Sequence, residues 1–313
     1  MKIFEGLDEL KNIKNPVITI GTFDGVHLGH QKIINQLKAE AAEIQGETVL
    51  LTFHPHPRIV LFPENHGVRL LQSQEEKLRS LEEFGLNNVI IVPFTLNFSN
   101  LTAQEFVEEI LVNNLHPKKV VIGYDHQFGR NREGNIDFLR LVSKKYNFEV
   151  VEIPARSIDE VNISSTKIRE SLLVGNVEMA KLYLSRPYEL SGRVVKGDQI
   201  GRTIGFPTAN ISINDDTKII PANGVYAVKV ITRSGTSFGM MNIGNRPTVD
   251  STNTQKLEVH IFDFDENIYD ASIKVLFEKR IREEKKFANL EELKFAIQQD
   301  EEFCRRYFNL PLV

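Results

Sequence analysis

The stretch "PVITIGTFDGVHLGHQKIINQLKAEAAEI" (residues 16–44) joins an apolar run, a glycine-rich turn and a helical pattern. The run at 16–20 is apolar apart from one threonine, which is typical of a buried strand. An apolar stripe at helical spacing runs through residues 30–45, and Gly46 ends it. The stretch therefore predicts a strand, a turn and a helix in succession.

Further apolar runs repeat this strand pattern along the first half of the chain: "TVLLTF" (48–53), "NVIIVPF" (88–94), "KVVIG" (119–123) and "FEVVEIP" (148–154). Each run is continuous rather than alternating, which indicates parallel strands with helices on both faces of their sheet. Helical patterns lie between the runs at 75–84, 102–114 and 135–146, and Thr102 and Glu105 have the spacing of a capping box. The first half therefore predicts an α/β fold with a doubly wound parallel sheet.

The pattern changes after about residue 185, where short strands are broken by Gly, Pro, Asn and Asp: "YELSGRVV", "GVYAVKVIT", "SFGMMNIG", "KLEVHIFDF" and "ASIKVLFEK". Ser234-Gly235 predicts a hairpin turn. This pattern favours an antiparallel barrel or sandwich, followed by one amphipathic helix at 289–308. We place the boundary at "LYLSRPY" (182–188), which gives domains of 1–184 and 185–313.

Composition narrows the class of protein. The 313 residues carry a net charge of −4, which gives no general attraction to nucleic acid. No apolar run reaches the ~18 residues that a membrane span needs, and the first ten residues lack the pattern of a signal peptide. The single cysteine, Cys304, suits a reducing compartment. We therefore expect a cytoplasmic protein that acts on small molecules, with neither nucleic acid nor membrane as partner and an oligomeric state that the sequence leaves open.

The turn "GTFDGVHLGH" (21–30) lies where open α/β sheets bind ligands. Glycines allow close approach of a ligand, and the following helix start favours an anion that His27 and His30 could also contact. Two alternatives stay open at this point. The turn could be structural, or the two histidines could join His54 and His56 in a zinc site. Asp24 could orient a donor or hold the turn itself.

A second stretch, "ISSTKIRE" (163–170), places hydroxyl side chains and cations at the start of a helical pattern. One serine there would suffice as a helix cap. Three hydroxyls followed by Arg169 would also suit a polyphosphate, because arginine can bind two phosphate oxygens at once.

Two stretches of the second half carry candidate chemistry. In "GRTIGFPTANI" (201–211), Thr208 and Asn210 would point to the same side if extended and offer oxygen ligands for Mg²⁺, although a local turn would also explain them. In "KLEVHIFDF" (256–264), Glu258 and His260 lie on the polar face of an alternating strand. Glu258 could act as a general base or could simply face solvent.

The first-half motifs together resemble the nucleotidylyltransferase superfamily, with its HxGH and ISSTxxR signatures. "TFHPHP" (52–57) and "GYDHQFG" (123–129) narrow the resemblance to the adenylyltransferase half of prokaryotic bifunctional riboflavin kinase/FMN adenylyltransferases. The resemblance implies a Rossmann-like fold and an ATP site in which His27 and His30 stabilise charge on the phosphates. Other implied ATP-binding residues are Gly21, Phe23, Ser164, Ser165, Thr166 and Arg169. The implied nucleotide and flavin loops contribute His54, Pro55, His56, Pro57 and Asp125.

Residues 187–313 resemble the riboflavin kinase domain of the same family through "GRTIGFPTAN", "GVYAV", "NIGNRPT", "LEVHIFDFDENIY" and "RIREEKKF". The resemblance implies a six-stranded barrel with a C-terminal helix. It also implies Mg²⁺–ATP bound by Thr208 and Asn210, with Lys196 and Gly197 on the nucleotide and Arg282 over the flavin. Glu258 would be the base that acts on the riboflavin 5′-hydroxyl.

The implied protein makes FMN from riboflavin and ATP in its second half, and FAD from FMN and ATP in its first half. Two other hypotheses are a flavin or nucleotide sensor without turnover and an adenylyltransferase with another acceptor, such as nicotinate mononucleotide. Intact Glu258 and histidines argue against the sensor, and the kinase-like half argues against the other acceptor.

Overall fold

The computed structural model describes residues 1–7, 10, 13–63, 67, 69–154, 163–197, 201, 204–245 and 255–312. The chain divides into two compact units, Met1–Ser165 and Thr166–Val313.

The first unit is built on a six-stranded parallel sheet. Its strands are β1 (Lys2–Glu5), β2 (Val17–Ile20), β3 (Thr48–His54), β4 (Asn88–Pro93), β5 (Lys119–Gly123) and β6 (Glu149–Ile153). They lie in the order β1-β4-β3-β2-β5-β6, and every pairing is parallel. The predicted doubly wound sheet is confirmed. The edge strand β1 was not predicted, because its four residues are mostly exposed and show no apolar run.

Helices cover both faces of this sheet. They are α1 (Leu28–Glu43), α2 (Pro57–Leu61), α3 (Gln74–Glu83), α4 (Leu96–Ser99), α5 (Ala103–Glu105), which continues as a π-helix over Phe106–Leu115, and α6 (Ile136–Tyr146). Thr102 and Glu105 form the predicted capping box at the start of α5. The π-helical hydrogen bonding that follows was not predicted from the helical spacing.

Neighbouring residues of each strand pack on opposite faces. In β3, Leu50 belongs to the cluster that includes Leu37 of α1 and Leu81 of α3, whereas Leu51 belongs to the cluster that includes Leu111 and Leu139 on the other side. Both faces are therefore buried, which explains why the strand sequences are continuous apolar runs.

The order of the strands reverses between β2 and β5. From β2 the chain winds through β3 to β4 on one side, and then returns to place β5 and β6 on the other. At such a reversal the loops after the two central strands diverge and leave a crevice at their carboxyl ends. The turn at 21–30 follows β2, and "GYDHQFG" follows β5.

The second unit is a closed antiparallel barrel with helices. Its helices are α7 (Ser165–Leu173, whose first residue belongs to the first unit), α8 (Val177–Leu184) and α9 (Leu290–Tyr307). Its strands are β7 (Tyr188–Val195), β8 (Ala209–Ser212), β9 (Gly224–Thr232), β10 (Gly235–Asn245), β11 (Gln255–Ile261) and β12 (Ser272–Arg282). The barrel order is β10-β11-β8-β7-β12-β9.

The barrel, its C-terminal helix and the predicted hairpin between β9 and β10 are confirmed. The sixth strand, β8, lies inside the stretch "GRTIGFPTANI" and was not among the five strands that the pattern indicated. In the part of the chain that the structure describes, each barrel strand has a hydrogen-bonded neighbour on both sides.

The division between the compact units differs from the boundary placed at 184/185. Helices α7 and α8 fall with the barrel because they are bound to it. The buried carboxylate of Glu278 on β12 pairs with Lys181 of α8, and Arg280 donates to the carbonyl of Val174. The backbone N–H of Ala222 also donates to the carbonyl of Leu172.

The barrel core predicts the effect of a truncation at Phe277. This side chain is fully buried, with its ring centroid 5.2 Å from that of Tyr226 and 6.2 Å from that of Tyr188. Phe277→Ala should lower the free energy of unfolding by about 3–5 kcal/mol, because it leaves a cavity in a closed core. Urea denaturation followed by circular dichroism measures this loss. Phe295→Ala is the control: that ring is 64% exposed, so an equal loss in both variants would contradict the packing.

Candidate active sites

The turn after β2 has an unusual backbone. Phe23, Gly25 and Val26 have φ angles of 49°, 88° and 41°. The side chains of Phe23 and Val26 are buried. Positive φ costs a β-branched residue more than a glycine, so the surroundings must stabilise this conformation. Such strain is concentrated at functional sites in proteins.

Asp24 supplies part of that support. Its buried carboxylate accepts hydrogen bonds from the backbone N–H groups of Leu71 at 3.0 Å and Gln72 at 3.2 Å. The hydroxyl of Ser165 donates to the backbone carbonyl of Asp24 at 2.9 Å. Asp24 therefore connects the turn to two other segments, in agreement with the structural one of its two predicted roles.

The two motif histidines lie at the start of α1. His27 caps the helix, with its Nδ1 accepting the backbone N–H of His30 at 3.4 Å. Their rings stack at 3.8 Å, and the ring of Phe23 stacks on His30 at 4.5 Å. Spacing alone suggested two side chains facing one ligand, whereas the structure places them in a stack of three rings at the helix N-terminus.

The two predicted phosphate motifs meet in space. A Cβ on Gly29 would lie 3.1 Å from the His27 ring and 3.7 Å from the carbonyl of Ile163, so glycine allows this close approach. The contact between Ser165 and Asp24 joins the same segments. Ser164 precedes α7 and is exposed, while Thr166 and Arg169 lie on α7 beyond the division between the units. Gly21 donates its N–H to the carbonyl of Leu51 beside these elements.

The other predicted loops follow β3 and β5. His54 ends β3, Pro55 follows it through a cis peptide bond, His56 caps α2, and Pro57 is the first residue of that helix. Asp125 lies exposed in the turn after β5. Among the described residues, no group of three or more His, Cys, Asp or Glu side chains could hold a metal ion, so the zinc alternative gains no support.

The neighbouring His126 lies in the same turn as Asp125. Burial lowers the pKa of its imidazole to about 4, because the protonated ring is poorly solvated there; the carboxylate of Asp125 partly offsets this effect, and Arg132 adds to it. His126 is therefore neutral at physiological pH.

The barrel contains a cavity of about 290 Å³ that holds the candidate base. Glu258 on β11 lies on its wall with Lys256 and His260, while Phe206, Val225, Met240, Leu293 and Ile297 provide apolar lining. Lys256 Nζ is 3.1 Å from Glu258 Oε1. An apolar cavity with a few converging polar groups is the usual form of a small-molecule site.

His260 was predicted only as part of the polar face of its strand. Its Nδ1 lies 2.7 Å from the carbonyl of Pro207, to which it donates a hydrogen bond, and its ring contacts that of Phe206 edge-on at 5.6 Å. His260 thus holds the segment before Thr208 against β11.

A second cavity of about 520 Å³ lies beside the first, and Thr208 lines both. The second cavity is bordered by residues 264–269, Val194 and Pro207. Asn210 pairs with Glu258 in the β8–β11 register and with Val195 in the β7–β8 register. Lys196 and Gly197 follow Val195 directly, so the predicted nucleotide residues converge on Asn210.

Gly197 is in close contact with Asn210. A Cβ built on this glycine would lie 2.0 Å from Asn210 Nδ2, so a larger residue at 197 would displace the Asn210 side chain. Residues 198–200, 202, 203 and 246–248 of the predicted motifs lie outside the described residues.

Arg282 lines the first cavity but is already bound. Its guanidinium makes a bidentate pair with Asp300 of α9, at 3.0 and 2.8 Å, and lies 5.6 Å from the ring of Phe287. Burial raises the pKa of Asp300 in spite of this pair. The sequence did not indicate Asp300, because it is one acid among several on a long helix.

Comparison with known proteins covers both units. A family model described as FAD synthetase matches residues 9–167, and one described as riboflavin kinase matches residues 184–308. A bifunctional riboflavin kinase/FMN adenylyltransferase of Buchnera aphidicola subsp. Schizaphis graminum is 40% identical over 315 residues, with 99% of this chain and 100% of its own covered. The protein of the same name from Haemophilus influenzae is 40% identical over 311 residues, with the same coverage.

A solved structure from Streptococcus pneumoniae, titled a macrolide-efflux protein, is also similar. It is 31% identical with a TM-score of 0.87, and 97% of this chain and 99% of that one are covered. Within the described residues, none of the helices has the length and apolar character needed to cross a membrane.

Removal of the Asp24 carboxylate should release the segment at 69–73. Asp24→Ala leaves the N–H groups of Leu71 and Gln72 without their acceptor, so the free energy of unfolding should fall by about 1–3 kcal/mol. Hydrogen exchange of the amides at 71 and 72 should become faster. The matched control is Asp137→Ala, which removes an exposed acid from α6 and should leave that exchange unchanged; unchanged exchange in Asp24→Ala as well would refute the assignment.

Proposed function

This chain belongs to the family of bifunctional riboflavin kinase/FMN adenylyltransferases, and we propose that it carries both activities. One site transfers the γ-phosphoryl group of ATP to riboflavin and gives FMN and ADP. The other joins FMN to the AMP part of ATP and releases pyrophosphate. The observation that carries this proposal is the cavity in which Glu258 lies beside an apolar wall, next to a second cavity that shares Thr208.

For the kinase, we assign riboflavin to the cavity with Glu258 and ATP to the one beside residues 264–269. Apolar lining suits the flavin ring, and the shared Thr208 marks where the γ-phosphate would meet the riboflavin hydroxyl. An alcohol is a weak nucleophile, so removal of its proton by Glu258 would assist attack on phosphorus. The proton would then reside on the Glu258 carboxyl group. Arg282, held by Asp300, would present a fixed cationic plane to the flavin.

The kinase site fits Mg²⁺. The Thr208 hydroxyl and the Asn210 amide oxygen are hard ligands: Thr208 lines the proposed ATP cavity, and Asn210 lies two residues on, in β8, with its side chain close to Gly197. Two protein ligands leave room for water and phosphate oxygens, which is typical of Mg²⁺ with nucleotides. When bound, the ion would neutralise charge on the phosphates.

For adenylyl transfer, we propose that ATP binds at the crevice between β2 and β5. His27 and His30 would contact its phosphates at the N-terminus of α1, and Ser164 and Ser165 would hold the triphosphate. Thr166 and Arg169 belong to the second unit and stay predictions of the sequence motif. The acceptor phosphate of FMN is already anionic, so alignment and charge stabilisation suffice without a base. The loops with His54, Pro55, His56, Pro57 and Asp125, together with Gly21 and Phe23, would complete the nucleotide and flavin site.

We further propose that the functional domains are 1–184 and 185–313, with the protein working in the cytoplasm on small molecules. The limits of the two family matches, 167 and 184, leave α8 between them, so its membership of the barrel unit does not assign it to either activity. A single buried thiol suits a reducing compartment.

The decisive experiment is incubation of the pure protein with riboflavin, ATP and Mg²⁺, followed by chromatography of the flavins. The proposal expects FMN first and FAD later. Tight flavin binding without either product would favour a sensor, and FMN without FAD would leave only the kinase.

Single substitutions should separate the two reactions. Glu258→Gln should lower the rate of FMN formation by about 10²–10⁴-fold, because a general base is lost, and should leave adenylylation of supplied FMN unchanged. His30→Ala should have the opposite pattern. Both rates are measured on each variant, so loss of both reactions in either one would refute separate sites.

A change at Gly197 should affect ATP use by the kinase. Gly197→Ala forces Asn210 away from its position, so the KM for ATP in FMN formation should rise by about tenfold or more, corresponding to ~1.4 kcal/mol of lost binding. Adenylyl transfer by the same preparation serves as the internal control. An unchanged KM in the kinase assay would remove Gly197 and Asn210 from the proposed nucleotide site.

A further inference from the structure

A buried lysine lies beneath the turn that carries the motif histidines. Lys77 of α3 is 7% exposed, and its Nζ is 3.4 Å from the carbonyl of Thr22 and 3.2 Å from Oγ1 of Thr52. The Thr52 hydroxyl in turn donates to the same Thr22 carbonyl at 3.4 Å. Lys77 thus contacts Thr22, in the turn "GTFDGVHLGH" after β2, and Thr52, the first residue of "TFHPHP" near the end of β3.

The position of these contacts matters for the backbone. Thr22 is the residue before Phe23, and Phe23, Gly25 and Val26 all have positive φ angles. A donor that fixes the Thr22 carbonyl therefore acts at the entrance to the strained turn. Asp24 fixes the same turn from its other side, through Leu71 and Gln72. The helix cap His27 follows immediately.

The acidic groups around Lys77 do not fully offset the burial of its charge. Burial lowers the pKa of its ammonium group to about 8, and the carboxylate of Asp24 only partly offsets this effect. Glu76, its neighbour on α3, has its carboxylate engaged with the backbone N–H of Ser73 in a capping box. An apolar side chain would fill the same space without the cost of burying a charge, so packing alone does not account for a lysine here.

We propose that Lys77 is a positioning residue for adenylyl transfer, whose ammonium group holds the Thr22 carbonyl and the Thr52 hydroxyl so that the ATP-binding turn keeps its reactive conformation. This inference rests on the proposed adenylyl-transfer site. Lys77 does not contact the substrate. It acts through the backbone that sets His27 and His30, and misplacement of such groups by about 1 Å can lower the rate by about 10²-fold.

The charged form of Lys77 gives the proposal a pH dependence. As the pH rises through about 8, Lys77 loses its proton, and with it the attraction to Asp24 and the stronger donor to Thr22 and Thr52. The kcat/KM for ATP in adenylyl transfer should therefore fall above pH 8. The kinase reaction, in the other unit, should show no such limb from this group.

The experiment measures FAD formation from supplied FMN and FMN formation from riboflavin between pH 6.5 and 9.5, for the unaltered protein and for Lys77→Met. Lys77→Met should lower kcat/KM for ATP in adenylyl transfer by about tenfold or more, remove the descending limb near pH 8, and leave the kinase unchanged. Lys38→Met is the matched control, because Lys38 is exposed and donates to the carbonyl of Phe84 in the same unit.

The outcomes are distinguishable from those of the proposed function. If the unaltered protein forms no FAD, the adenylyl-transfer assignment itself fails. If it forms FAD and Lys77→Met has the same rate and pH profile, only the role of Lys77 is overturned. If Lys77→Met does not fold, the pH profile of kcat/KM for ATP in the unaltered protein decides. A profile that stays flat from pH 7 to 9.5 overturns the proposal. A fall in kcat/KM above pH 8 that moves to higher pH in Lys77→Arg supports it.

Discussion

The turn at residues 22–26 is the constraint on which the first site depends. Three of its residues have positive φ, and two of these, Phe23 and Val26, are not glycine. A backbone of this kind is stable only when its neighbours fix it from outside. Asp24 supplies hydrogen bonds to residues 71 and 72, Thr22 receives them from Lys77 and Thr52, and Ser165 binds the Asp24 carbonyl. The turn, α3 and the start of α7 therefore form one connected support.

The two units meet different chemical demands with different residues. A phosphate nucleophile is already charged, so a site for it needs donors and positive ends of dipoles, as the start of α1 provides. An alcohol nucleophile gains from a base, and the barrel holds a carboxylate on a rigid strand. Lys256 Nζ lies 3.1 Å from Glu258 Oε1 and forms an ion pair with this carboxylate.

Sequence patterns predicted the elements whose residues repeat locally. The continuous runs of β2 to β6 and the alternation of Leu257, Val259 and Ile261 follow from burial on two faces or one, so periodicity was enough. Strand β8 was not predicted from the sequence. Its pairing partners, β7 and β11, are not adjacent to it in sequence, and the glycines and proline before it indicate a turn. The edge strand β1 was not predicted either. At the edge of the sheet it pairs with β4, and its residues are mostly exposed and form no apolar run.

The site residues divide in the same way, into those that a local motif indicates and those whose contacts are made across the fold. Residues within a motif, such as His27 and Glu258, could be named from the sequence. The contacts of Lys77 with Thr22, of His260 with Pro207 and of Asp300 with Arg282 could not, because they are made across the fold. A helical lysine at 77 or an acid at 300 is indistinguishable from a solvated surface charge until the fold is known.

The burial of Lys77 shows how stability and activity can oppose each other in this chain. Its pKa is about 8 in the folded protein against an ordinary value of 10.5, so at neutral pH the buried charge costs about 3 kcal/mol of folding free energy. Between pH 8 and 10.5 the unfolded chain binds more protons at this residue than the folded one, and the folded state gains stability as the pH rises. A residue kept only for stability would be expected to act in the other direction. The cost is instead what a charged donor at this position requires, and the proposed adenylyl-transfer site, in which the strained turn would present two histidines to a polyphosphate, gives a physical reason to retain it.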